Sequence, residues 1–93
     1  MSLNTSKSSG LLTANTLLAT GRNLLKGVLL PAGAGSPTIT IYDNTAGSGK
    51  ILFQAAGNGS TPVVVNFTHA VQAELGLYVV LGGTGPTAIV YFG

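Results

Sequence analysis

Enzymatic or metal chemistry needs titratable, nucleophilic or metal-binding side chains within reach of one another, and this chain holds few. It has one histidine, His69, two acids, Asp43 and Glu74, and no cysteine. His69 paired with Glu74 or Asp43 is the whole acid–base repertoire. One histidine and two acids do not make a metal triad with its supporting groups. Nor do they supply a nucleophile, a base and a residue to orient the base. The sequence reads as non-enzymatic, with no catalytic residue, no metal ligand and no cofactor. His69 is expected in a loop, held by a backbone partner.

Two stretches imitate ligand loops. Gly47-Ser48-Gly49-Lys50 resembles the end of a phosphate-binding loop. The full motif is Gly, four residues, Gly-Lys, then Ser or Thr, set between a strand and a helix. Here Asn44 stands where the first glycine belongs, Ile51 follows the lysine, and the pattern beyond is that of a strand. The stretch is therefore read as a hairpin turn. Asp43-Asn44 has the flavour of a calcium loop, which needs several oxygen ligands and a closing Glu at fixed spacing. Glu74 is too far along the chain for that, so Asp43 is expected to cap the turn. Three glycosylation sequons (Asn4-Thr5-Ser6, Asn58-Gly59-Ser60, Asn66-Phe67-Thr68) are chance matches in a chain rich in Ser, Thr and Asn. Tyr42 and Tyr78, where exposed, would form a sugar-stacking platform, so a carbohydrate-binding module is the second class of function. Tryptophan, the usual stacking residue of such modules, is absent.

The residues that must position any site come next. Ninety-three residues make one domain. Hydrophobic residues are 45% of the chain and charged ones 6%, against about 25% charged in an average soluble domain. So few charges leave the surface to Ser, Thr, Asn and Gly, or to contact with another subunit. The net charge of +2 comes from Lys7, Arg22, Lys26 and Lys50 against Asp43 and Glu74. Scattered bases are not the clustered footprint that phosphate binding needs, so no nucleic-acid partner is expected. The absence of cysteine excludes a disulfide scaffold. The polar beginning, with Leu11-Leu12 broken at once by Thr13, Asn15 and Thr16, does not read as a secretory leader. No apolar run approaches the roughly 18 residues of a membrane-spanning helix. A single-chain membrane barrel needs about eight long strands, more than this length provides, so no membrane partner is expected.

Residues 38–53 form the centre. Thr38-Ile39-Thr40-Ile41-Tyr42 alternates at period 2, the repeat of a half-buried strand. Asp43 and Asn44 open a reversal, and Gly47 and Gly49 can take positive φ without steric cost. Lys50-Ile51-Leu52-Phe53 returns. Residues 1–10 are read as a flexible arm and residues 11–93 as a single β-sandwich domain. Residues 11–20 lean towards extended structure through Thr13, Thr16 and Thr20. Residues 22–30 are a strand with a bulge expected at Gly27. Turns are expected at 31–37, 57–60 and 82–86, from their Gly, Pro, Asn and Ser content. Further strands begin at Pro62, Gly76 and Thr87, while residues 69–75 show no period and are read as a loop or one helical turn. The pattern predicts an all-β fold, a small antiparallel β-sandwich or jelly-roll-like barrel of six to seven strands.

The predicted core is Ile39, Ile41, Ile51, Phe53, Val63, Val65, Phe67, Leu77, Val79, Ile89 and Tyr91. The opposite face carries Leu52, Val64, Tyr78, Val80, Val90 and Phe92, which is too apolar for a free sandwich. Tyr78, Val80, Val90 and Phe92 are therefore the predicted oligomer interface. The competing reading is that the N-terminal segment covers this face within one chain.

Taken together, four stretches resemble small virion proteins of tailed bacteriophages. They are residues 21–28 (Gly-Arg-Asn-Leu-Leu-Lys-Gly-Val), residues 38–43 with the glycine turn that follows, residues 76–80 (Gly-Leu-Tyr-Val-Val) and residues 88–91 (Ala-Ile-Val-Tyr). The resemblance implies a compact sandwich or jelly roll that sits on the capsid as a decoration or cement protein, often a trimer, or forms part of a tail or fibre. It implies partners in copies of itself and in the major capsid protein or other virion proteins, and a place in the virion assembled in the host cytoplasm. It brings no catalytic residues. A lattice protein needs neutral, complementary faces more than charge, which agrees with the composition.

Overall fold

The computed structural model describes residues 7–31, 37–57, 61–83 and 87–93. Of the turns expected at 31–37, 57–60 and 82–86, residues 32–36, 58–60 and 84–86 lie outside the described residues, as do residues 1–6 of the expected arm, while Pro37, Gly82 and Gly83 belong to strands. Eight strands form: β1 (Lys7–Ser8), β2 (Thr16–Thr20), β3 (Asn23–Leu30), β4 (Pro37–Asp43), β5 (Lys50–Ala56), β6 (Val63–Ala73), β7 (Gly76–Gly83) and β8 (Ile89–Phe92). There is no helix among the described residues. The all-β expectation holds, with one strand more than the six to seven predicted. The extra strand is β1, which lies inside the stretch read as a flexible arm. Lys7 pairs with Phe92 and Ser8 with Tyr91, and the Ser9 N–H donates to the Val90 carbonyl at 2.8 Å.

Pairing follows a simple rule. β4 pairs with β5, β3 with β6, β2 with β7 and β1 with β8, all antiparallel. These are the rungs of one long hairpin whose tip is the β4–β5 turn, the centre picked out by the sequence. Two more ladders, β3 with β8 and β4 with β7, roll that hairpin into two four-stranded sheets. The first sheet runs β1-β8-β3-β6 and the second β2-β7-β4-β5. Eight strands in this order are a jelly roll, the arrangement that closes a sandwich from two Greek keys.

The sheets bury their facing rows against each other. Leu25, Val28 and Leu30 of β3 and Val90 and Phe92 of β8 meet Ile39 and Ile41 of β4 and Leu77 and Val79 of β7. Leu12, Ala73 and Ala88 complete the core. At the β5–β6 side, Phe53 and Phe67 pack edge to face, 5.5 Å between centroids and 85° between planes. Such a pair adds about 0.5–1.5 kcal/mol beyond its buried area.

Three departures from the expected pattern, two in the core and one in β6, have local causes. On β8, Val90 and Phe92 point inward and Ile89 and Tyr91 are only half-buried, the reverse of expectation. On β5, Ile51 is 49% exposed, because the ladder slips between Ile41 and Tyr42 and leaves Leu52 as an extra residue. The bulge flips Ile51 outward and lets Leu52 and Phe53 both pack on the core. Residues 69–73, read as a loop or helical turn, continue β6. Their period is hidden by a large irregularity, where Leu25 pairs with Val71 but Gly27 with Asn66. The bulge expected at Gly27 is present, on the ladders to both β6 and β8.

Candidate functional site

Asp43, Lys50, Arg22 and Glu74 lie around the β6–β7 turn, and Asp43 holds that turn. Asp43 ends β4 and is buried. Its Oδ1 accepts the N–H groups of Leu75 at 2.7 Å, Glu74 at 2.9 Å and Gly76 at 3.4 Å. The expectation that Asp43 caps its own hairpin turn is therefore corrected: it caps the β6–β7 turn, more than thirty residues away. The Leu75 N–H is the main cause that holds the Asp43 carboxyl below the ordinary carboxylate value. Burial opposes this, while the Glu74 and Gly76 N–H groups and the charge of Lys50 reinforce it. The β4–β5 turn is held instead by Asn44, whose side chain donates to the Ser48 carbonyl at 2.7 Å and accepts from the Thr45 N–H at 2.8 Å.

Glu74 is taken up on the surface. Its Oε2 lies 3.4 Å from the Arg22 guanidinium and accepts from Gln72 at 3.0 Å. His69 is exposed on β6, not in a loop. Among the described residues no three His, Cys, Asp or Glu side chains gather into a metal-binding group. Asp43 Oδ1 is engaged by three backbone donors of the β6–β7 turn.

The predicted interface residues divide between two environments. Tyr78 and Val80 lie on the outer face of the second sheet and are half-buried. Val90 is wholly buried in the core and Phe92 nearly so, which removes both from any surface. The strand β8 is apolar at every position, so its sequence alone carries no sign of which face is inside; its register on β3 decides.

The face that Tyr78 and Val80 belong to is larger than expected. Tyr42 stands directly opposite Tyr78 on the neighbouring strand. Leu17 of β2 stands opposite Tyr78 on its other side, and Ile51 of β5 opposite Tyr42. One row, Leu17–Tyr78–Tyr42–Ile51, thus crosses all four strands. The next row is Val80, Thr40 and Gln54, the last two joined by a side-chain hydrogen bond of 3.3 Å. Gly82, Thr38 and Ala56 follow. No charged residue stands in these three rows. Leu17 (42%) and Ile51 (49%) are exposed at the two ends. The β4–β5 turn leans over the middle: a Cβ at Gly47 would sit 3.1 Å from Val80 Cγ2 and 3.4 Å from Tyr78 Cε1. A side chain at position 47 would press on Val80 and Tyr78. Of the two turn glycines, Gly49 takes up its freedom of positive φ, at 105°.

Sequence reasoning found Tyr42, Tyr78 and Val80 but missed Leu17 and Ile51 as members of the face. Ile51 was hidden by the bulge, and Leu17 by a second slip between Leu17 and Ala19 on β2. Tyr42 and Tyr78, expected to form a sugar-stacking platform where exposed, stand side by side but are half-buried, and the chain's own turn lies against Tyr78. No protein family, curated protein or solved structure matches this chain.

Proposed function

We propose that this protein is a non-enzymatic structural component of a bacteriophage virion, a capsid decoration (cement) protein that associates with copies of itself and binds the capsid lattice. The observation that carries the reading is the outer face of the second sheet. It has no charge in its three rows, and an apolar row runs from edge to edge. Large apolar patches on soluble proteins mark interaction sites. The chain is a slab of 37 × 32 × 19 Å whose broad sides are the sheet faces. One such side is large enough for the roughly 800 Å² per partner that a stable interface needs. Closed symmetry is the common outcome for identical subunits, and a trimer suits a decoration site. The major capsid protein is the further partner, and the virion, assembled in the host cytoplasm, is the location. The resemblance to small phage virion proteins supplies the virion context, and jelly rolls recur in capsid proteins, which is support by fold analogy alone. A tail or fibre component would use the same face in the same way.

Leu17→Lys and Ile51→Lys test it, because both side chains are exposed at the ends of the row and tolerate a charge in the folded chain. Each is expected to reduce the particle mass in solution to that of one chain while the melting temperature of the monomer stays intact. An oligomer unchanged by both substitutions removes this face from the assembly.

A further inference from the structure

The outer face of the first sheet, opposite the proposed assembly face, carries a depression of about 410 Å³ lined by Lys26, Gly27, Leu29, Val64, Asn66 and Tyr91. We propose that this depression is a saccharide-binding site, centred on Gly27. It is independent of how the chain assembles.

The site is made by register. Gly27 on β3 is opposite Asn66 on β6 and opposite Tyr91 on β8, so the three form one row across the sheet. The two outer strands of that row are about 9.5 Å apart, twice the strand spacing. With glycine in the middle, nothing rises between the amide and the phenol. A Cβ at Gly27 would lie 3.1 Å from the Val65 carbonyl oxygen, 3.3 Å from Asn66 Oδ1 and 3.7 Å from Tyr91 Cδ2, so any side chain would fill the floor. The neighbouring row, Val64 and Leu29, forms an apolar wall. Lys26 is the extra residue of the bulge and lines the depression as well.

This combination suits a sugar ring. The C–H face of a pyranose packs on aromatic and aliphatic side chains. Its hydroxyls need a group that both donates and accepts. The Asn66 amide does both, and no side-chain hydrogen bond engages it among the described residues. Tyr91 is half-buried and keeps an amphipathic ring at the edge of the notch. The volume is at the lower end of the roughly 300–1,000 Å³ of small-molecule sites, the size for one or two sugar rings. A few polar groups on an apolar surface are the usual make-up of such sites. The Tyr42–Tyr78 pair on the other sheet is the weaker platform, because the Gly47 turn already packs on it.

The test is an NMR titration of the 15N-labelled full chain with a panel of free sugars: glucose, galactose, mannose, N-acetylglucosamine, glucuronic acid and N-acetylneuraminic acid. At least one sugar is expected to shift the backbone amides of Gly27, Leu29, Asn66 and Tyr91 in a saturable way. Tyr91→Ala and Asn66→Ala are each expected to weaken that binding on the order of tenfold, the factor that corresponds to about 1.4 kcal/mol. Tyr91→Phe keeps the ring and is expected to retain binding. Asn66 is exposed, so its variant folds and separates loss of ligand from loss of structure. No saturable shift with any sugar overturns the proposal. So do shifts that map to Tyr42 and Tyr78.

Discussion

Replacing Asp43 with asparagine isolates the charge that holds the β6–β7 turn. The side chain keeps its shape and one oxygen, so the geometry of the cap survives and only the charge goes. Two short bonds are affected most, from Leu75 at 2.7 Å and Glu74 at 2.9 Å. Hydrogen bonds to a charged group contribute about 1.5–3 kcal/mol and neutral ones about 0.5–1.5. The difference over two bonds, less the desolvation that a neutral amide avoids, is about 2 kcal/mol. For a domain of this size that lowers the melting temperature by about 8–16 °C. The pH dependence gives the second half of the test. The native carboxyl titrates below its ordinary 3.8, so the cap's stabilisation is present above that value. It is lost as the pH falls through the lower, folded-state value. The amide of the Asp43→Asn variant does not titrate. Melting followed by circular dichroism is therefore expected to show a large gap between the two proteins near neutral pH and a closing gap below about pH 4. Equal stabilities at neutral pH, or a gap that persists in strong acid, would refute the role given to the carboxylate.

Gly76→Ala is expected to cost about 3 kcal/mol or to abolish folding, since its Cβ would lie 2.7 Å from the Ala19 carbonyl oxygen and 2.9 Å from that of Asn44, both backbone. Thermal melting checks it. Val90→Lys is expected to unfold the chain rather than to dissociate an oligomer, because Val90 is fully buried and an unpaired ammonium there costs several kcal/mol, on the order of 4 or more. Val64→Lys, at a position 60% exposed, is expected to change stability by less than about 0.5 kcal/mol, and a chemical denaturation series separates the two.

The sequence revealed the fold where side chains alternate and concealed it where they do not. On β4, Ile39 and Ile41 against Thr38, Thr40 and Tyr42 state both strand and phase, and the structure follows them. On β8, Ile89, Val90, Tyr91 and Phe92 are all apolar, so either phase was allowed and the pairing with β3 chose the one not expected. The bulges at Lys26 and Leu52 each shift a register by one, which reverses the faces of everything beyond them. Gly27 announced the first of these; nothing at Leu52 announced the second. The Asp43 cap joins residues more than thirty positions apart and has no local signature. For the candidate faces, Tyr42 and Tyr78 could be named from the chain, but that they stand opposite each other, with Leu17 and Ile51 completing the row, comes from the rolled hairpin.

The most direct measurement is the mass of the intact chain in solution, by light scattering on a sizing column across a dilution series. Assembly through the outer face of the second sheet requires a closed oligomer, expected as a trimer at three times the 9.3 kDa chain mass. A single 9.3 kDa species at every concentration, with Leu17 and Ile51 open to solvent, contradicts it.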